Sequence, residues 1–268
     1  MPAAVTMGDL LAPVRADPAG SAVLLDVDGT LAPIVRHATD ASVPEPTRLR
    51  LIEIAKRYGL LACVTGRRAA DARRMVSIGS IAYVGNHGAE VLRPGATAAE
   101  VEPALVESAR PLRDFARRAQ SPELDRVRVR TEDKDVIVAF HWRGAPDEAA
   151  ARATVEDLAR QAEAAGLWTH WGRKVLELRP PAPLDKGVGV RTLLRGSGLS
   201  AALYVGDDAT DVDAFRALGE MAAAGQLASA VRIGVRSDEG PPEIAREADG
   251  VVDGPEGVRL LLDSLLAD

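Results

Sequence analysis

The sequence predicts an α/β protein: a parallel sheet covered by helices on both faces, with a smaller α+β segment inserted into it. Three observations predict this. Short, continuous apolar runs alternate with helix-length segments over most of the chain, as they do where strands are buried on both faces. Between about residues 103 and 180 the strand-like runs instead alternate apolar and polar residues, the pattern of a sheet with one solvated face. Several of the continuous runs end on acidic or hydroxyl residues beside glycine, and open α/β sheets bind ligands beyond those strand ends.

Taken in order, SAVLLDV (21–27) reads as the first strand, LLACVT (60–65) as the second and IAYVGN (81–86) as the third. Helical stretches at 46–58 and 69–77 separate them, and such alternation builds a parallel sheet. The insertion begins with one helix over PALVESARPLRDFARRAQ (103–120), followed by VRVRTE (127–132) and VIVAFHWR (136–143). A second helix runs from Asp147 to about Gly166, then LWTHW (167–171) and KVLELRP (174–180). Helix, two strands, helix, two strands describes an α+β unit with an antiparallel sheet. Pro180, Pro181 and Pro183 stiffen the return to the main domain. There ALYVG (202–206), VRIGV (231–235) and GVVDG (250–254) read as strands, with helices at 187–196, 210–219 and 256–266. The expected division is a core of 1–102 plus 181–268 and an inserted domain of 103–180.

Composition narrows the function. The 268 residues are 47% hydrophobic and 27% charged, ordinary for a soluble globular chain able to bury a core. A net charge of −6 argues against nucleic-acid binding, which needs a basic face. No basic start followed by an apolar segment is visible in the first twenty residues, and no apolar run is long enough for a bilayer. No membrane partner is expected, and a monomer is compatible with the sequence. The single cysteine, Cys63, cannot make an internal disulfide, so a reducing, cytoplasmic setting is expected. It reads as a small buried hydrophobe rather than a nucleophile. Lysine is scarce: Lys56, Lys134, Lys174 and Lys186 are the whole set among 33 basic residues. A lysine kept in an arginine-rich chain is a candidate for work that needs a compact ammonium.

The sharpest signal is LLDVDGTLAPI (24–34), where a buried strand ends on two carboxylates. Burying one carboxylate is costly and burying two together more so, unless a cation sits between them. Other strand ends carry Thr65-Gly66-Arg67 and Gly206-Asp207-Asp208, with Asp211 following, while Lys186 opens the helix after the insertion. Singly, each has a structural reading. Asp207 and Asp211 could favour a helix N-terminus, Lys186 could pair with Asp185 at the surface, and Thr65-Gly66 could be a plain turn. Asp26 with Asp28 resists such a reading, because no turn needs two acids at the end of a buried strand.

Together, DVDGTL, Thr65, Lys186 and GDDATD match in order the four motifs of the haloacid dehalogenase (HAD) phosphatase superfamily, which the chain resembles. The resemblance implies a HAD-like Rossmannoid parallel-sheet core with an inserted α+β cap of type C2. It implies Asp26 as nucleophile forming an aspartyl-phosphate and Asp28 as general acid and base. Thr65 and Lys186 would bind the phosphoryl group, where charge develops. Mg²⁺ would be held by the Asp26 carboxylate, the Asp28 backbone carbonyl and Asp207, answering the need for a cation between the acids. Asp208 and Asp211 would lie one layer out, orienting metal waters and Lys186.

A closer resemblance covers nearly the whole chain beyond residue 20. NHGAE (86–90), EDKDVIVAFHWR (132–143), GRKVLELRP (172–180) and GDDATDVDAF (206–215) look like the trehalose-6-phosphate phosphatase family. It implies a small-molecule sugar phosphate substrate, with Lys134 and Glu177 on the glucose ring distant from the phosphate. Asn86 and His87 would lie near the junction of core and cap, Lys174 and His141 in the cap, Gly66 at the substrate, and Arg67 would screen the phosphate or line the mouth. The plainer readings are that Lys134 extends from a hairpin turn, that His141 and Trp142 pack the cap, that Trp168 and Trp171 pack the cap rather than offer a stacking platform, and that Arg143 and Arg179 are surface or seam charges. His37 and His170 receive no role. Val212 departs from the family, which carries an acid there. Alternatives are a phosphatase of another sugar or pseudo-disaccharide phosphate, a phosphotransferase or mutase, and a non-catalytic sugar-phosphate-binding partner of a glycosyltransferase.

Overall fold

The structure is a computed structural model, and it describes residues 5–35, 41–237 and 240–267. The first part of the chain forms α1 (Met7–Ala16), β1 (Ser21–Leu25), α2 (Glu45–Arg57), β2 (Leu60–Val64), α3 (Ala69–Val76), β3 (Ala82–Gly85), β4 (Glu90–Leu92) and β5 (Glu100–Val101). A single 3₁₀ turn, Asn86–Gly88, links β3 to β4. The middle forms α4 (Pro103–Ser108), α5 (Arg110–Ala119), α6 (Pro122–Arg126), β6 (Arg130–Asp133), β7 (Val138–His141), α7 (Glu148–Ala164), β8 (Trp168–Gly172) and β9 (Val175–Arg179). The last part forms α8 (Lys186–Leu194), β10 (Ala201–Gly206), α9 (Ala209–Ala223), β11 (Ser229–Arg236), α10 (Pro242–Glu247), β12 (Gly250–Asp253) and α11 (Gly254–Leu266).

Two compact units result. One joins the chain up to Ile34 with residues 41–100 and everything from Asp185 onward; the other contains Val101–Leu184. The first unit is built on a sheet of order β12-β11-β10-β1-β2-β3-β4-β5. It is parallel from β12 to β3, and β4 then turns back antiparallel to β3.

The continuous apolar runs behave as their pattern requires. Successive strand residues point to opposite faces, and both faces of this sheet are covered. Val23, Leu25, Leu203 and Val205 join one cluster with Leu51 and Ile54 of α2 and Leu261, Leu262 and Leu265 of α11. Ala22, Leu24, Ala202 and Tyr204 join the other with Val190 of α8 and Phe215 and Leu218 of α9. Val212 belongs to that second cluster and is 4% exposed. The departure from the family is thus an apolar packing residue in a place where an acid would need a partner.

The chain leaves β1 toward β2 and β3 on one side, and reaches β10, β11 and β12 on the other. The order therefore reverses beside β1, and open α/β sheets bind ligands at such a reversal, here beyond the carboxyl ends of β1 and β10.

The second unit has a four-stranded antiparallel sheet, β6-β7-β9-β8. Two expectations are corrected here. The helix over 103–120 is two helices that break at Ala109, with Pro111 in the first turn of α5, since proline cannot donate the bond an uninterrupted helix needs. The strand over 127–132 starts only at Arg130, because Arg128 turns left-handed with φ 58°. Helices α1, α6 and α10 and strands β4 and β5 lie outside the elements the sequence predicts. α1 is announced by a capping box, Thr6 with Asp9.

Candidate active site

Asp26 is the first residue past β1, and its N–H continues the ladder to Val205 O of β10 at 2.9 Å. The chain then folds back, with Leu31 and Ala32 both donating to the Val27 carbonyl. Gly29 makes that turn with φ 89°, and a Cβ on it would run into the Asp207 carboxylate. The DGT of the motif is thus the backbone that lets Asp207 approach. Thr30 Oγ1 donates to Asp207 Oδ1 at 3.3 Å. Asp207 itself is the first residue past β10, fully buried.

Lys186 is the first residue of α8, whose N-cap is Asp185, accepting from Val188 N at 2.8 Å. Its side chain is 2% exposed, and Nζ donates to Asp26 Oδ1 and Asp211 Oδ1, both at 2.7 Å, with Asp208 at 3.8 Å. This is no surface pair with Asp185. Asp211 is saturated: Oδ1 also accepts from Tyr204 Oη at 2.7 Å, and Oδ2 accepts from the N–H groups of Asp207 and Asp208 at 3.0 and 2.9 Å. The same carboxylate completes a capping box with Asp208 at the start of α9.

Carboxylate oxygens of Asp26, Asp207 and Asp211 lie within 4.8 Å of one another. Burial pushes the Asp26 carboxyl well above the usual range, Lys186 opposes the rise, and Asp211, Asp207 and Asp208 add to it. Burial likewise pushes Asp211 up to about 7 despite Lys186. Burial would lower Lys186, but Asp211 and Asp26 outweigh it and hold the ammonium well above its ordinary value. Burial would raise Asp208 too; Lys186 and the Thr210 hydrogen bonds outweigh it and leave it well below. Four carboxyl groups thus crowd around one ammonium, and the upward shifts of Asp26 and Asp211 express that crowding as well as burial. The donor set, hard carboxylate oxygens gathered at the strand ends, fits a divalent cation. Since Asp211 has both oxygens engaged, Asp26 and Asp207 are the carboxylates left to hold one.

Thr65, the first residue past β2, is tied by its N–H to Val84 O at 2.9 Å, and Thr65 Oγ1 accepts from Arg67 N at 3.2 Å. Asn86 and His87 both have positive φ, 50° and 54°. Their N–H groups donate to Arg67 O and Thr65 O at 2.8 and 3.1 Å, so the turn after β3 clamps the turn after β2. Gly66 has no room for a Cβ, which would meet the His87 ring. Buried Glu90 accepts from Ala69 N at 2.5 Å and serves as the N-terminal cap that α3 lacks locally. Arg67 does not stand free beside the phosphate position: Nε and Nη2 each donate to Asp28 at 2.6 Å, a bidentate pair. Neither this pair nor the roles of Tyr204 and Glu90 emerged from the sequence reading. The signals were a lone tyrosine in an apolar strand two residues before GDD, and an acid closing NHGAE.

In the second unit, Lys134 and Glu177 are buried and paired at 3.0 Å. Arg179 is no loose surface charge; it donates to the other oxygen of Glu177 at 2.8 Å and to Leu184 O. His141 meets Glu132 at 2.8 Å, a hydrogen bond that holds the Glu132 carboxyl below its usual value. Lys174 is not brought to this group. It occupies the β8–β9 turn with φ 57°, and its ammonium pairs with Glu148 at 2.7 Å. Trp142 is buried, but Trp168 and Trp171 are 58% and 43% exposed, so Trp168 is not core packing. Trp171 stands edge-on to Trp142 with ring centroids 5.9 Å apart. His37 lies outside the described residues.

A parallel-sheet core, an inserted antiparallel unit and acids gathered with one lysine at the sheet's switch point are the arrangement that the resemblance to HAD phosphatases implies. The family model for trehalose-phosphatase matches residues 24–249. The trehalose-phosphate phosphatase of Mycobacterium marinum is 36% identical over 214 residues, 74% of this chain and 51% of that protein. A probable trehalose-phosphate phosphatase of Oryza sativa is 30% identical over 221 residues, 73% of this chain and 59% of that one. The chain spans about half the length of these curated relatives, and 15% of an uncharacterized glycosyl hydrolase of Mycobacterium tuberculosis to which it is 32% identical over 210 residues. In fold it is similar to the C-terminal domain of Candida albicans trehalose-6-phosphate phosphatase, with TM-score 0.77 and 19% identity over 97% of this chain and 98% of that one. The chain belongs to the trehalose-phosphatase family, a family of phosphoric monoester hydrolases.

Proposed function

We propose that the protein hydrolyses the phosphate ester of a disaccharide, trehalose 6-phosphate, through covalent catalysis at Asp26. The observation that carries this is the buried Lys186, which holds Asp26 Oδ1 and Asp211 Oδ1 at 2.7 Å each at the end of the central strand. The second Asp26 oxygen then has the role of attacking phosphorus.

Mg²⁺ bound by the Asp26 carboxylate, the Asp28 carbonyl and Asp207 would supply the charge neutralisation that lets an anionic nucleophile meet an anionic phosphate. Asp26 attacks, the phosphorus–oxygen bond to the sugar breaks, and Asp28 delivers a proton to the departing oxygen. Thr65 and Lys186 take the phosphoryl oxygens. Asp28, now a carboxylate, removes a proton from water, which attacks the aspartyl-phosphate and releases inorganic phosphate. Arg67 positions Asp28 for both steps, with Nε and Nη2 each donating to its carboxylate at 2.6 Å. Asp211 keeps Lys186 aimed, with Tyr204 and two backbone N–H groups holding Asp211 in turn.

Residues 103–180 are assigned the choice of leaving group, with Lys134, Glu177 and His141 as polar contacts to sugar hydroxyls. The family and its named relatives support trehalose 6-phosphate over other esters. The test is phosphate release across trehalose 6-phosphate, sucrose 6-phosphate, glucose 6-phosphate and p-nitrophenyl phosphate, with and without Mg²⁺. A kcat/KM at least about tenfold higher for trehalose 6-phosphate, lost with chelator, is expected. Equal turnover of all four esters would remove the disaccharide assignment, and full activity in chelator would remove the metal.

A further inference from the structure

The connection between β3 and β4 is strained. Gly85 pairs with Glu90 across these antiparallel strands, so Asn86–Ala89 make a four-residue loop. Such loops are most often built around a type I turn, whose central residues are right-handed. Here Asn86, His87 and Gly88 have φ of 50°, 54° and 99° in succession. Adjacent non-glycine residues in the left-handed region persist only where their surroundings fix them.

The surroundings that fix this loop belong to two different motifs. On one side lies the turn after β2. The Asn86 N–H donates to Arg67 O and the His87 N–H to Thr65 O, while Glu90, 5% exposed, accepts from Ala69 N at 2.5 Å. On the other side lies α8. A Cβ on Gly88 would come within 2.6 Å of Asp185 O and 3.0 Å of Gly189 N, so only glycine lets the loop rest against the turn that begins with Lys186. These contacts reach the reacting groups. The Thr65 N–H is engaged with Val84 O, and Thr65 Oγ1 accepts from Arg67 N. The hydroxyl hydrogen is what Thr65 has left to give a phosphoryl oxygen, and the Arg67 backbone sets the oxygen that carries it. Asn86 holds that backbone at its carbonyl, and Glu90 holds it two residues further on.

We propose that residues 86–90 are a positioning clamp that fixes the Thr65 hydroxyl relative to the Lys186 ammonium, with Glu90 and Gly88 as its positioning residues. The clamp rests on the phosphatase reading and gives NHGAE a task separate from sugar recognition: it registers the two groups assigned to the phosphoryl oxygens. Every phosphate ester presents that group, so the clamp acts on all esters alike.

The experiment compares the full chain with Glu90→Ala, Glu90→Gln, Thr65→Val and the Glu90→Ala/Thr65→Val pair, on trehalose 6-phosphate and on p-nitrophenyl phosphate with Mg²⁺ present. Misplacing a reacting group by about 1 Å costs on the order of 10²-fold. Glu90→Ala should therefore lower kcat about 10- to 100-fold, by the same factor on both esters, with KM within about threefold. Glu90→Gln keeps an acceptor for Ala69 N and should recover most of the loss. In the Thr65→Val background Glu90→Ala should cost no more than about threefold, because the hydroxyl it aims is gone. A loss that multiplies undiminished in that background, a loss on one ester alone, or an unchanged kcat would overturn the clamp. A second readout needs no turnover: amide hydrogen exchange of the metal-free chain. Glu90→Ala should speed exchange at 65–69, 86–90 and 185–189 and leave β10 unchanged. Acceleration confined to 65–69, or spread to β10, would overturn the clamp. This readout stands even if the unaltered chain hydrolyses neither ester, a result that would remove the phosphatase reading alone.

Discussion

Replacing Asp211 by asparagine isolates the device that aims Lys186. The carboxylate accepts four hydrogen bonds, from Lys186, Tyr204 and the N–H groups of Asp207 and Asp208. An asparagine oxygen can keep the two backbone donors. Its amide nitrogen then faces Lys186 and Tyr204; the phenol can rotate to accept, but the ammonium cannot. The loss is one buried charge-assisted hydrogen bond, about 1.5–3 kcal/mol, together with repulsion between two donors. We expect Asp211→Asn to lower unfolding stability by about 2–3 kcal/mol at pH 7.5 in chelator. Circular dichroism in urea is the assay, since Trp142, Trp168 and Trp171 all lie in the second unit and would report the wrong part of the chain. The pH dependence adds a sign. Burial raises Asp211 from 3.8 to about 7, so between those values the native state holds a proton that the unfolded chain has lost. Stability of the metal-free wild type therefore declines from this source as pH rises through that window. The variant lacks this component, so the gap between the two proteins should narrow from pH 5 to pH 7.5. Stability within about 0.5 kcal/mol of wild type at pH 5, or a gap that widens with pH, would refute the reasoning.

Asp26→Asn should lower phosphate release by a factor on the order of 10⁴ or more, as loss of a nucleophile does, with no acid-stable phosphoenzyme on the chain; release above about one per cent of wild type would contradict covalent catalysis at this residue. Arg67→Gln leaves Asp28 without its bidentate partner; kcat for trehalose 6-phosphate should fall about 10- to 100-fold, part of the effect of a general acid–base group, with phosphoenzyme accumulating in rapid quench. Unchanged kcat would make the pair structural only. Cys63 is fully buried, and burial together with the nearby Asp26 pushes its thiol far up; Ellman's reagent should find no reactive thiol in the native chain and one after urea unfolding. Rapid reaction of native protein would mean that the strand beside Asp26 opens readily.

The core was legible because its strands are buried on both faces, and only a continuous apolar run satisfies that. Val23 and Leu24 go to opposite clusters and both are fully buried. The elements that escaped notice have no such demand on them. β4 is three residues long and β5 two, too short to show a period. α6 is five residues held by a Ser121 cap. Pro111 marks the break between α4 and α5, but the apolar spacing continues across it and suggests one helix. Arg128 carries no signal for its left-handed turn.

The site divides in the same physical way. Residues that the chemistry requires at strand ends were readable, because a pair of acids closing a buried strand has no structural purpose. Partners chosen by reach were not: Arg67 meets Asp28 from 39 residues away, and nothing in either local sequence names the other. The fourth motif shows why the structural and functional readings competed there. Asp208 and Asp211 are a capping box, as an acid three residues after an N-cap suggests, and Asp211 is also an anchor of the buried lysine. The same oxygens do both. Capping fixes the carboxylate in the first turn of α9, and α8 brings Lys186 against it; α8 and α9 share the cluster containing Val190, Val212 and Phe215. Helix packing thus sets the ammonium's position, which is why a surface pair and a buried, paired lysine look alike in sequence and differ completely in burial.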